Sequence, residues 1–598
     1  MVSFNETARR NFKRRLRRRR KETIESVAQA DQQIERLLIR RFDRLVSVRR
    51  FIFLWLALFV FLFATVFLQS RALSNYYQVL KPVPGGLYSE GIVGSISNPN
   101  PLYASGAADV DLSRLIFSGL FKYNDQNQLS PDLATDWVVN SDQKQYTVHL
   151  RKNVTWQDGK PFNADDVVFT YKTIQNIEAQ SPLYSSWQGI SINKLDNYTV
   201  SFGLPNSLSA FPYSLTNGII PYHLLKNIKP EELRSASFNT SPVGTGPFEW
   251  KFVDVSGGTS DARQQRVSLA AFDRYHFGHP ALDGFSLITY SDNRHLLTAF
   301  ENKQINAMSG LESLPNELAK DKSVHVYSTP LTTAVMAFFN NSQAFLSDQN
   351  VRKALVSGVD RSGVDKLFSN PVQPVDSPLL KNQLGYDSSI AELPYNFDYA
   401  NQLLDQDGWT RDANGQRIKN GQPLVFSMAS QDTQNYSNVA AYLQQQWAKL
   451  GVKVQVNYYD ASDLQTSIIS NHSYDVLLYG ISVGVDPDEY AYWDSSQASL
   501  TSQGHLNLSE YKSTAADQSL EGGRTRTDPA LRAAKYKAFL SAWSSDAPAL
   551  ALYQPNYIYI TRGPVLNYQR SADNSSEDRF YNVADWMIRQ QKKDIINR

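Results

Sequence analysis

Residues 51 to 68 read FIFLWLALFVFLFATVFL, eighteen positions without a charge and with Thr65 as the one polar side chain. At 1.5 Å per residue such a run nearly crosses the hydrocarbon core of a bilayer. A helix packed inside a soluble protein is rarely apolar on every face. The pattern predicts a transmembrane helix over 51–70. Two readings compete for it, a cleaved signal peptide and a retained signal anchor. Fifty residues precede the run, and LQSRALS (68–74) after it lacks a small-x-small cleavage site, which favours the anchor. Arg49 and Arg50 abut one end, with RRLRRRRK (14–21) farther back, whereas only Arg71 and Lys81 follow soon after. That asymmetry predicts a cytoplasmic N-terminus and an outer C-terminal body. Within 22–50, Ile24, Val27, Ile34, Leu38, Leu45 and Val48 recur at threes and fours, the spacing of an amphipathic helix.

KPVPGG (81–86) closes a linker over 71–87, and from about 89 the pattern turns to mixed helix and strand. In QYTVHLRKNVTW (145–156) apolar side chains alternate at Tyr146, Val148, Leu150, Val154 and Trp156 with one break, which predicts a strand. Asp158-Gly159 and Pro161 force a turn. Asn163 fits a helix N-cap with Asp166 three residues on, and Val167, Val168, Tyr171 and Ile174 form the apolar stripe of the helix that follows. NVRKALVSGVDR (350–361) predicts a helix, and residues 439–460 a helix stopped at Gly451 and then a strand. Residues 474–484 predict a buried strand, and 528–560 a helix, a loop and a strand. Alternation of this kind belongs to an α/β protein of several lobes.

Composition refines this picture. The absence of cysteine excludes disulfides, thiolate metal sites, a cysteine nucleophile and a lipid-modified cysteine anchor. The net charge of +2 divides unevenly: residues 1–50 carry 16 Lys and Arg against 6 Asp and Glu, so the remainder is acidic. The basic charge is a tail, and no nucleic-acid partner is expected of the body. HFGH (276–279) is the one close histidine pair, with no third ligand nearby, so no metal and no cofactor is expected. H-E-x-x-H does not occur and there is no cysteine nucleophile, and an enzyme is not expected.

Five segments in order carry a family resemblance: EGIVGSISNPNPLYA (90–104), LSRLIFSGLFKYN (112–124), the run from Leu129 to Tyr171, PVGTGPFEW (242–250) and AFFNNSQAFLSDQNVRKALVSGVDR (337–361). Together they resemble the extracellular solute-binding proteins of peptide and nickel ABC importers, the oligopeptide- and dipeptide-binding type of family 5, over nearly all of 88–570. The resemblance implies a two-lobed α/β fold of the periplasmic-binding-protein kind (cluster C type) with an extra subdomain, preceded by one transmembrane helix. The implied division is a basic tail (1–50), the anchor (51–70), the linker (71–87), lobe one in three parts (88–125, 241–333 and 547–598, the last with the C-terminal tail), the extra subdomain (126–240) and lobe two (334–546). Trp156 and Phe162 are then core anchors of a scaffold, away from ligand.

In such relatives an extended peptide lies between the lobes and pairs with strand-edge backbone. By resemblance the second-lobe edge is Tyr479, Gly480, Ile481, Ser482 and Val483. The first-lobe edge lies near Asn100 and Tyr103, and Tyr553 stands at the second hinge crossing. One departure matters. Peptide-binding relatives carry an Asp four residues before the Pro of this segment, where it pairs with the ligand's amino terminus; four before Pro487 stands Val483. Asp486 is the nearest candidate replacement. The expected protein is a membrane-anchored binding protein that captures a peptide or peptide-like solute outside the cell, or in a periplasm, and delivers it to an ABC permease. The alternative is a non-transport sensor or chaperone-like peptide holder on the same fold.

Overall fold

A computed structural model describes residues 13–14, 27, 49–259, 263–311, 315, 318–501 and 506–594. By its contacts the chain divides into two units, Met1–Lys81 with Gln590–Arg598, and Pro82–Arg589. The amphipathic helix expected over 22–50 lies outside the described residues except at Val27, Arg49 and Arg50, and the basic run 14–21 except at Arg14.

In the first unit a helix runs Arg49–Tyr77. Its segment Phe51–Arg71 has a mean hydropathy of 2.8 and buries none of its surface in the protein. Thr65 returns its hydroxyl to the carbonyls of Phe61 and Leu62, so the one polar side chain of the run is satisfied within the helix. The expected linker is partly ordered. The helix continues to Tyr77, because RALSNYY contains no breaker, and Gln78–Val83 is a strand paired with Arg589–Asp594.

The second unit contains two principal sheets. The first has seven strands in the order Val324–Pro330, Asn556–Arg562, Ala307–Ser309, Leu87–Val93, Gly284–Tyr290, Gln264–Ala271 and Phe248–Ser256. Its centre is parallel: Leu87–Val93 runs with Gly284–Tyr290 and with Ala307–Ser309. The second has six strands in the order Gln373–Pro374, Ala549–Gln554, Thr333–Phe339, Val476–Ser482, Val425–Gln431 and Lys453–Tyr459. Helices Gln349–Ser357, Phe397–Gln406 and Gln434–Lys449 cover one face, and Thr514–Arg524 and Pro529–Asp546 the other. The two lobes of the expected fold are these two sheets with their covering helices. A separate four-stranded antiparallel sheet, Ala134–Val139, Gln145–Leu150, Thr199–Gly203 and Ser191–Asp196, packs on helix Ala164–Ile174.

The joint at 151–174 forms as its residues predict. Asn163 accepts from the Asp165 N–H at 2.7 Å, and the Asp166 carboxylate accepts from the Asn163 N–H at 2.9 Å, a reciprocal cap. Asp166 also accepts from the Tyr222 N–H at 2.9 Å, and its burial raises its pKa. Trp156 and Phe162 are fully buried, edge to face at 6.2 Å, in the core of this subdomain. The strand predicted to reach Trp156 ends at Leu150, since the chain must turn back for the Trp156 N–H to bond the Lys160 carbonyl.

The chain passes between the two sheets at Pro330 to Thr333 and returns at Gln554 to Asn556. The crossings lie side by side: the Leu331 N–H donates to the Pro555 carbonyl at 2.9 Å, and the Gln554 amide donates to the Leu331 carbonyl at 2.7 Å. Strand Ala549–Gln554 thus belongs to the second sheet, and the return to lobe one falls at Pro555 and not at 547 as expected. A proline cannot donate to a ladder, so it divides one apolar run into two strands of different sheets.

Candidate ligand cleft

Strand Val476–Ser482 forms the lobe-two wall beside the hinge. On one side Thr333–Phe339 pairs with it along its whole length. On the other, Val425–Gln431 reaches only Val476, Leu477 and Leu478. Tyr479 to Ser482 therefore keep one backbone edge open to a further strand. The side chains at this edge differ in what they face. Gly480 faces a cavity, and a Cβ there would sit 3.0 Å from the Tyr436 hydroxyl and 3.2 Å from Thr333. Ile481 and Val483 turn into the lobe-two core. Tyr479 is half-buried, its hydroxyl donating to Gln465 at 3.4 Å and its pKa raised by burial. Ser482 is exposed, and its carbonyl accepts from the Tyr492 hydroxyl at 3.0 Å.

Two cavities flank the hinge ribbons, each lined from both lobes. One, of about 350 Å³, takes Leu331, Thr333, Tyr553 and Pro555 from the crossings, Gly310, Leu311 and Ile558 from lobe one, and Phe368, Tyr436 and Gly480 among others from lobe two. None of its lining side chains is charged. Tyr553 is buried there with its ring 4.6 Å from that of Phe368. The other cavity, of about 470 Å³, uses the alternate hinge residues Thr332 and Gln554. Lobe-one and subdomain residues Asn127, Gln128, Tyr213 and Ser571 face Lys381, Gln383, Gly484 and Asp486 across it. Gln383 fixes the end of the strand wall, donating to the Val483 carbonyl at 3.2 Å and the Gly484 carbonyl at 2.9 Å. The Val483 N–H bonds the Thr332 carbonyl at 2.9 Å.

Asp486 lines the second cavity but is not a free carboxylate. Arg532, on helix Pro529–Asp546, clasps it with two hydrogen bonds of 2.9 and 2.6 Å, both side chains being less than a tenth exposed. Burial alone would lower the pKa of the guanidinium, and the hydrogen bond and charge of Asp486 outweigh that and raise it. Asp488 is half-buried next to Arg524, whose guanidinium lies 3.2 Å away, and its pKa is raised, by desolvation first. The Glu489 carboxyl is fully buried and held well above its ordinary range, by desolvation and then by Asp488.

The lobes also meet away from the hinge. Ser209 donates its N–H (2.9 Å) and its hydroxyl (3.0 Å) to the Arg524 carbonyl, and Ser207 its hydroxyl to the Thr525 carbonyl at 2.9 Å. The C-terminus of helix Thr514–Arg524 is thereby capped by Ser207 and Ser209, which follow the four-stranded sheet.

Of the residues singled out in the sequence, the structure gathers Tyr479, Gly480, Ile481, Ser482, Val483, Asp486 and Tyr553 around the hinge. Asn100 and Tyr103 do not join them. They sit in a buried turn after strand Leu87–Val93, where Asn100 bonds Asn239 at 2.9 Å and caps the Leu102 N–H, and both line the lobe-one core or its polar seams rather than a strand edge. Tyr213, Gln383, Lys381 and Arg532 were not singled out, because each reaches the cleft from an element far away in sequence. His276 is bound to Asp132 at 2.7 Å and His279 lies against Asp273, so HFGH does not converge. Among the described residues no group of three or more acidic or histidine side chains is arranged to hold a metal ion.

Two lobes, a doubled hinge and interlobe cavities describe a binding protein, and the model of one family, bacterial extracellular solute-binding proteins, family 5 Middle, matches residues 128–502, more than half of the chain. The chain belongs to that family. It is 27% identical over 494 residues to the oligopeptide-binding protein AppA of Bacillus subtilis, covering 80% of this chain and 87% of that one. The fold is similar to that of NikZ from Campylobacter jejuni in complex with Ni(L-His), with a TM-score of 0.71, 24% identity and coverage of 84% and 99%. It is likewise similar to B. subtilis AppA in complex with a nonapeptide, with a TM-score of 0.68, 24% identity and coverage of 85% and 100%.

Proposed function

We propose that this family 5 protein is a membrane-anchored binding protein that captures peptides or peptide-like solutes between its lobes and presents them to an ABC permease. The observation that carries the reading is the open backbone edge at Tyr479 to Ser482 beside an interlobe cavity. An added strand gains affinity from main-chain hydrogen bonds, which every peptide offers. Tyr479, Gly480, Ser482 and Tyr553 are the proposed contacts, with Ile481 and Val483 contributing backbone only and Asp486 shaping the wall of the second cavity. Lobe closure is the signal to the permease, since a ligand bridging both sheets stabilises the closed state by its own differential contacts. No step of chemistry is required, and the protein is proposed not to be an enzyme.

The apolar helix Phe51–Arg71 supports a retained anchor, and the Lys and Arg before it support a cytoplasmic N-terminus with the binding body outside. Relatives named for oligopeptide binding support peptides over other solutes. The test is mass spectrometry of the small molecules released on denaturing full-length protein purified in detergent. A ladder of short peptides is the expected result. A single non-peptide species, with no binding of added peptides, would overturn the peptide assignment.

A further inference from the structure

The two hinge cavities contain one carboxylate between them, that of Asp486, and Arg532 saturates it. The lining also includes Lys381, an exposed residue without an ion-pair partner among the described residues. Around it the second cavity is rich in carboxamides. Asn127, Gln383 and Gln554 are committed to protein partners. Gln126, Gln128, Gln373 and Asn382 are exposed at the same wall and make no side-chain hydrogen bond within the described structure. Carboxamides both donate and accept, so such a lining matches amide groups of a ligand in either sense. Tyr213 adds a ring whose hydroxyl pKa is raised, by burial first and then by Asp486.

A ligand's ammonium entering this space would lose hydration and find no free anion, while meeting a like charge at Lys381. A ligand's carboxylate would find Lys381 and a set of amide donors. The neutral first cavity, lined in part by Phe368, Tyr436 and Tyr553, holds no charged side chain to pair with either end.

We infer that the cleft selects amide-bearing solutes that lack a free primary ammonium and are neutral or end in a carboxylate, such as N-acylated peptides. This rests on the peptide reading above and specifies its ligand class. Asp486 and Arg532 act as a neutral structural pair, and Lys381 is the specificity-determining charge.

The experiment uses the full-length chain in detergent micelles and one pooled tetrapeptide library in four end-group forms: free or acetylated at the amino end, acid or amide at the carboxyl end. Retention is quantified by mass spectrometry after rapid desalting, and dissociation constants are measured for the retained sequences. The acetylated acids should bind tightest. Their free-amine counterparts should bind about tenfold or more weaker, a factor equal to about 1.4 kcal/mol. Lys381→Gln should erase the advantage of acid over amide without changing the unfolding midpoint of the ligand-free protein. Equal or tighter binding of the free-amine forms overturns the inference and leaves the peptide reading standing. Binding by none of the four forms overturns both. An unchanged acid preference in Lys381→Gln overturns the role given to Lys381.

Discussion

Replacing Arg532 by Met should do two things at once, destabilise lobe two and create an ammonium site. In the wild type the guanidinium makes two hydrogen bonds to Asp486, one of 3.0 Å to the Gly523 carbonyl and one of 3.3 Å to the Tyr536 hydroxyl. Methionine keeps much of the apolar stem and removes all four. Breaking a buried ion pair from one side leaves the other charge uncompensated, which costs about 3–5 kcal/mol. Asp486 borders a cavity and can recruit water, so the low end of that range applies. Urea unfolding of the full-length chain in micelles, followed by tryptophan fluorescence, reads the loss where it occurs, because Trp493 and Trp543 lie edge to face at 5.6 Å in the same core. The double variant Arg532→Met with Asp486→Asn should recover most of the loss, and the cycle of four proteins isolates the pair from the Gly523 bond. In the single variant the carboxylate is free to take a ligand's ammonium. A free-amine peptide at 100 times its dissociation constant should then restore about 2.7 kcal/mol, and should do nothing comparable for the wild type. A loss under about 1 kcal/mol, or a variant that free-amine peptides do not stabilise, would refute the claim that Arg532 neutralises Asp486 in the cleft.

Three further outcomes are expected. Gly480→Trp places an indole in the 350 Å³ cavity, where even a Cβ is 3.0 Å from Tyr436, so peptide binding should be lost while circular dichroism and cooperative unfolding persist; unaltered affinity would move the ligand elsewhere. The buried Glu392 carboxyl is pushed from 4.5 up to about 7, by desolvation first, against the charge of Arg361 and the Ala551 N–H. Folding thus takes up a proton between those values, so stability falls as pH rises through that window, by up to about 3 kcal/mol, and Glu392→Gln should flatten the slope. Stability of the wild type that rises over pH 5–7 and is unaffected by the substitution would contradict this. Protease added outside intact cells should release the body and leave residues 1–50 protected, and digestion of both would reverse the proposed orientation.

What the sequence disclosed was local. The cap at Asn163 and Asp166 is written in two residues three apart, and the stop at Gly451, with φ of 84°, in one. Both are satisfied by neighbours along the chain, so no tertiary knowledge was needed. The single strand predicted after the helix and loop within 528–560 failed for the opposite reason. Ala549–Gln554 and Asn556–Arg562 differ in nothing but the sheet each joins, and only Pro555 marks the change. The pairing of Gln78–Val83 with Arg589–Asp594 has no local signature at all, since one edge strand says nothing about which distant edge it meets. The candidate site was legible only as a stretch of chain: Tyr479 to Asp486 was singled out by resemblance, whereas its surroundings depend on Arg532, Gln383 and Lys381, each placed by helix or loop packing elsewhere. Asn100 and Tyr103 were placed at the first-lobe edge by resemblance alone, and in the structure Asn100 caps the Leu102 N–H while Tyr103 is buried in the lobe-one core.

Val483 tests whether ammonium recognition is excluded by one residue or by the whole wall. Its side chain packs in the lobe-two core, its N–H bonds Thr332 and its carbonyl is held by Gln383. An aspartate there would carry its charge into apolar surroundings with no partner for it among the groups that now touch position 483, at a cost of a few kcal/mol. The backbone cannot rotate to relieve this, because its N–H is bonded to Thr332 of the hinge and its carbonyl to Gln383. Val483→Asp should therefore lower stability at pH 7, recover part of it as the pH falls and the carboxyl protonates, and gain no affinity for free-amine peptides. The contrast with Arg532→Met is the point of the comparison: one variant exposes a carboxylate that already borders the cavity, and the other buries a new one beside it. If Val483→Asp folds as stably as the wild type and binds free-amine peptides, position 483 faces the ligand, and the preference assigned to Lys381 and the carboxamide wall belongs to that single side chain.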